Sequence, residues 1–158
     1  MEPRQASSAV FYINRLLVFA PDESSAGVAD QARPRILIVE DEYLAAAELK
    51  DGLADAGYEV VGIARTADQA LALARSEKPL LAIMDIRLVG PRDGVDAALE
   101  IFSETGVRCI FATALHDGET RRRAESAAPL GWLPKPYVVT SVLDMVRRAL
   151  AELQPPRQ

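Results

Sequence analysis

Two hydrophobic periods alternate along most of this chain. Ile36-Leu37-Ile38-Val39, Leu80-Leu81-Ala82-Ile83-Met84 and Cys109-Ile110-Phe111-Ala112 are short, nearly unbroken apolar runs. Strands covered on both faces read this way. With two weaker runs they predict strands over 35–39, 58–63, 80–85, 107–112 and 130–133. Segments of helical period fill the gaps and predict helices over 42–56, 66–77, 94–104, 117–127 and 140–152. Gly57 and Gly106 stand where a left-handed residue closes a helix. Thr66, three residues before Gln69, has capping-box spacing.

Five β-α units of this length predict a flavodoxin-like, doubly wound parallel sheet of order 2-1-3-4-5. In that order the first and third strands are neighbours, and the carboxyl ends of all five share one edge. Ligands bind in the crevice at such an edge. The polar residues that follow the apolar runs are Glu40-Asp41-Glu42, Asp85, Thr113 and Lys135. A carboxylate cluster, a hydroxyl and an ammonium are thus expected at one place.

The remaining composition narrows the picture only modestly. At 158 residues the expectation is one domain able to bury a core. A net charge of -5 argues against non-specific nucleic-acid binding. The single cysteine, Cys109, excludes an internal disulfide and reads as a buried side chain. Residues 1–33 are expected to be a flexible or weakly helical extension, with Val10, Ile13, Leu17 and Ala20 spaced as one helical stripe. Residues 21–34 read as a linker, 34–153 as the domain and 154–158 as a tail. The stretch from Ala9 to Ala20 is too short for a membrane span, and no leader pattern precedes it, so a cytoplasmic protein without membrane contact is expected.

Bringing Glu40, Asp41 and Asp85 together without a counter-charge is unfavourable, because like charges within about 4–6 Å raise one another's pKa. A hard divalent cation resolves this, and Mg2+ is the expected cofactor. Asp41 and Asp85 are the expected direct ligands, Glu40 acts through water, and the backbone carbonyl of Arg87 adds an oxygen. Asp85, rigidly held after its apolar run, is the candidate covalent phosphoryl acceptor. Lys135 supplies a compact cation and Thr113 a hydrogen bond for the transferring group. A cis Lys135-Pro136 bond is expected to aim the ammonium into the site.

Glu40-Asp41, Asp85, Thr113 and Lys135-Pro136, in this order and spacing, resemble the receiver domain of two-component response regulators. The resemblance covers residues 34 to 153. It implies phosphoryl transfer to Asp85 from a histidine kinase or histidine phosphotransfer protein, self-catalysed uptake and hydrolysis, and signalling through a protein partner. It also implies a switch in which Thr113 moves toward the phosphoryl group and Trp132 follows, changing the face made by the fourth helix, fifth strand and fifth helix. A single-domain receiver, monomeric or weakly dimeric, is the expectation.

Two features depart from the usual pattern: Pro134 before the lysine, and the long loop Gly90-Pro91-Arg92-Asp93-Gly94. The run Phe111-Ala112-Thr113 resembles a subgroup of stand-alone receivers, some linked to general stress signalling. His116 reads as a loop residue. Arg121-Arg122-Arg123 and Arg147-Arg148 read as solvated faces, available to an acidic partner. Two rival functions remain. One is an aspartyl-phosphate phosphatase, disfavoured because Ile86-Arg87 supplies no second acid after Asp85. The other is a degenerate interaction module that works without phosphorylation.

Overall fold

The computed structural model describes residues 10–13, 16–19, 32–114 and 117–156. The chain divides into two units, Met1–Ala32 and Arg33–Gln158.

In the first unit, Val10–Ile13 and Leu16–Phe19 are strands paired antiparallel, from Val10 opposite Phe19 to Ile13 opposite Leu16. This corrects the expected helical stripe. The two segments read VFYI and LLVF, and their β-branched and aromatic side chains favour extended backbone over the helix that the spacing suggested. His116 and most of the linker lie outside the described residues.

The second unit is a five-stranded parallel sheet with helices on both faces. Its elements are β1 Arg35–Val39, α1 Tyr43–Asp55, β2 Glu59–Ala64, α2 Ala67–Glu77, β3 Leu81–Asp85, α3 Gly94–Thr105, β4 Arg108–Thr113, α4 Gly118–Ala124, β5 Gly131–Pro134 and α5 Val139–Leu153. The strand order is β2-β1-β3-β4-β5, as the alternation of elements predicts.

Strand alternation sorts the core into two halves. Ile36, Ile38, Leu81, Ile83 and Ile110 pack with Leu49 and Leu53 of α1 and Val142 and Val146 of α5. Leu37, Val39, Ala82, Met84, Cys109 and Phe111 face the opposite way, toward Ala70, Ala74, Val95 and Ile101 of α2 and α3. Both faces of the central strands are therefore covered, which is why their sequences are continuous apolar runs. Cys109 is buried, and burial pushes its thiol up to about 12.

Helix ends follow the expected chemistry with two additions. Gly57 and Gly106 take positive φ of 93° and 75°. Lys78 and Ala128 do so as well, at 47° and 48°, although neither is glycine. Each precedes a proline (Pro79, Pro129), which disfavours continuing the right-handed turn. The expected helix over 117–127 is accordingly α4 followed by a short 3-10 turn, Glu125–Ala127. Pro134 belongs to β5, an edge strand, where a missing N–H is tolerated. The Lys135 N–H reaches the Thr113 carbonyl instead, at 3.0 Å. No described helix is long and apolar enough to cross a membrane.

Candidate functional site

The candidate side chains leave the sheet at the carboxyl ends of four strands. Glu40 and Asp41 follow β1, Asp85 ends β3, Thr113 ends β4 and Lys135 follows β5. Register aligns them. Val39 pairs with Met84, Asp85 with Ala112 and Thr113 with Pro134, so the four strand tips stand side by side.

The acids meet. Glu40, Asp41 and Asp85 each place a carboxylate oxygen within 4.8 Å of the others. Glu40 and Asp85 are buried, at 3% and 8% exposure, and Asp41 is half-buried. Lys135 is the cation among them. Its Nζ donates to Glu40 Oε2 at 2.9 Å and lies 3.1 Å from Asp85 Oδ2, and the Lys135–Pro136 bond is cis. The other Glu40 oxygen, Oε1, accepts from the Glu42 N–H at 3.0 Å.

One ammonium does not neutralise three carboxylates. Burial, and after it the Glu40 charge, push the Asp85 carboxyl up to about 6 despite the opposing pull of Lys135. Burial works to lower the Lys135 ammonium, but the Glu40 hydrogen bond and the Asp85 charge outweigh it and hold it above its ordinary value. Tyr137, two residues on, is also raised, mainly by burial.

The loop after β3 is pressed against the acceptor strand. The Gly94 N–H donates to Ile86 O at 2.7 Å, and a Cβ on Gly94 would fall on the Asp85 carbonyl. Only glycine lets α3 begin this close. Asp93 caps that helix in a reciprocal box with Asp96, and Arg123 of α4 bonds both acids at 2.9–3.2 Å. Arg87 lies just beyond Asp85 and is exposed.

Trp132, on β5, is half-buried. Its ring stacks on Phe111 with centroids 4.8 Å apart, and the Arg121 guanidinium of α4 lies 4.7 Å from its centroid. Arg121 is thus engaged with an aromatic face rather than being only a solvated charge. Two further residues escaped the sequence reading. Tyr137 lines a groove with Glu42, Leu49, Lys135 and Pro136. Arg65, at the end of β2, donates from Nε to the Asp41 carbonyl at 3.2 Å. The predicted strand order already set β2 beside β1, so a polar residue at the β2 tip was the signal for Arg65.

Comparison with known proteins gives the same picture. The chain is 36% identical over 127 residues to the transcriptional regulatory protein PdtaR of Mycobacterium tuberculosis, covering 80% of this chain and 62% of that one. It is 32% identical over 130 residues to the phyllosphere-induced regulator PhyR of Methylorubrum extorquens, covering 82% and 48%. The chain therefore spans less than two thirds of either relative. Among solved structures, the receiver domain of a modulated diguanylate cyclase from Desulfovibrio desulfuricans G20 superposes with a TM-score of 0.71 at 35% identity, over 77% of this chain and 96% of that one. PhyR from Brucella abortus gives 0.65 at 35% identity, over 77% and 49%. Residues 36–147 match the response regulator receiver domain model, and the chain belongs to that family.

Proposed function

We propose that this chain is a phosphoacceptor in a two-component or phosphorelay system, taking a phosphoryl group onto Asp85 with Mg2+ as cofactor. The observation that carries the reading is the meeting of Glu40, Asp41 and Asp85 around one lysine. Three carboxylates from two strands form a hard oxygen set that suits a small hard dication. Asp41 and Asp85 would hold it directly, Glu40 through water, and Arg87 through its backbone carbonyl. When bound, the ion offsets the acids' charge and that of the phosphoryl oxygens.

The chain's own residues do the rest. An Asp85 carboxylate oxygen attacks phosphorus, a P–O bond forms, and the P–N bond of a phosphohistidine donor breaks. The electron pair leaves with the imidazole, which is then protonated. Lys135, fixed by Glu40 and Asp85, sits where a phosphoryl oxygen arrives. The Thr113 hydroxyl donates to another oxygen. That charge-assisted bond exists only in the phosphorylated state and so shifts a two-state equilibrium. Trp132 follows Thr113, and the face of α4, β5 and α5 changes for a protein partner. The donor is a histidine kinase or a histidine phosphotransfer protein.

The test is intact-protein mass after incubation with Mg2+ and acetyl phosphate, beside Asp85→Asn. Wild type alone should gain one phosphoryl group. A gain that persists in Asp85→Asn moves the acceptor elsewhere. Absence of any gain, from acetyl phosphate and from a phosphohistidine protein alike, sinks the reading.

A further inference from the structure

The three acids are not held alike. The Glu40 carboxylate is tied to Lys135 and to the Glu42 N–H, and the Asp85 carboxylate to Lys135. Among the described residues, no hydrogen bond or ion pair holds the Asp41 carboxylate. Its position is set by its backbone, and helix capping gives that backbone little help. Glu42, the N-cap of α1, makes no side-chain cap, as is true of Val138 at α5, whereas Thr66, Asp93 and Asp117 cap their helices.

The end of β2 supplies the missing support. The Ala64 carbonyl accepts from the Glu40 N–H at 2.9 Å, and Arg65 Nε bonds the Asp41 carbonyl at 3.2 Å. Among the described residues, Arg65 is the only partner of that carbonyl. The Arg65 backbone is itself held, because its N–H donates to Gln69 Oε1 at 2.9 Å while the Gln69 N–H donates to Thr66 Oγ1 at 3.1 Å. A line of bonds therefore runs from the start of α2, through Arg65, to the backbone of Asp41.

We propose that Arg65 is a positioning residue for the acid site, holding Asp41 so that its carboxylate meets a divalent cation. This deepens the reading of Asp41 as a metal ligand and rests on it. Groups that orient a ligand are worth about 10–100-fold in metal affinity. Charge and positioning here have opposite signs. A nearby guanidinium repels a cation, so removing its charge alone would tighten binding. Removing a support for Asp41 weakens binding.

The test is calorimetric titration of the full chain with Mg2+ alone, comparing wild type, Arg65→Gln, Asp41→Asn and the double variant. Arg65→Gln should raise the Mg2+ Kd about tenfold. In the Asp41→Asn background the same change should raise it no more than about twofold, since there is no carboxylate left to position. Gln69→Ala, which frees the Arg65 backbone, should weaken binding in the same direction by less. Unchanged or tighter binding by Arg65→Gln, or equal weakening in both backgrounds, overturns the inference. If wild type takes up phosphoryl with Mg2+ while Arg65→Gln binds the ion as tightly, only this inference fails. If wild type binds no Mg2+, the metal reading fails with it.

Discussion

At the amino ends of the strands, Arg35 and Arg108 each meet acids of opposite sign. Arg35 pairs with Glu77 at 3.0 Å and Glu59 at 3.6 Å, and Arg108 with Glu152 at 2.8 Å while also bonding the Ala128 carbonyl. At the carboxyl ends, three carboxylates share one lysine, and two of those acids are buried. Both ends belong to the same strands and are built on the same core. At one end the charged groups pair where water still reaches them, and at the other the excess negative charge is buried. A fold does not require such an excess, and the proposed Mg2+ would offset it.

Removing Lys135 should break the contrast most severely. Lys135→Ala strands Glu40 and Asp85 without their counter-charge. In metal-free protein at pH 7 it should lose about 3 kcal/mol in a urea melt. Next in size is Asp85→Asn, which should stabilise the metal-free protein at pH 7 by about 2 kcal/mol. The sign follows from the raised carboxyl. A folded pKa of about 6, above the ordinary carboxyl value, gives stability that is present at low pH and lost as pH rises through about 6. The gap between Asp85→Asn and wild type should therefore close by about pH 4, and added Mg2+ should reverse it by stabilising wild type alone. The smallest effect belongs to the other end. Arg35→Ala breaks partly exposed pairs and should cost no more than about 1 kcal/mol, with no dependence on Mg2+. A Mg2+-dependent loss there would erase the distinction between the two ends.

The sequence was most legible where burial dictates composition. The runs that became β1, β3 and β4 read as strands covered on both faces, and the polar residues closing them were brought together by the strand order. Helix ends were harder to read. Lys78 and Ala128 adopt left-handed backbone that their side chains do not advertise, and only the following prolines mark them. The N-terminal segments carried two signals at once, helical spacing and strand-forming side chains, and the spacing misled. In the site, the acids and the lysine were visible because their chemistry is. Arg65 was not singled out, because what marks it is one bond to the backbone that follows a neighbouring strand. Gly94 was hidden for a similar reason, since its role is the absence of a side chain beside the Asp85 carbonyl.

Trp132 is the only tryptophan of the chain, and it lies between Phe111 and the Arg121 guanidinium. Its ring therefore reads two structures at once, a core strand on one side and α4 on the other. Ultraviolet excitation selects this one side chain, with no other indole to dilute the signal. A withdrawal of Arg121 changes the field on the ring, and a turn of the ring breaks the stack with Phe111. The molecule thus carries an intrinsic optical gauge on the α4 side of the sheet, and α4 can be followed by emission without attaching a label.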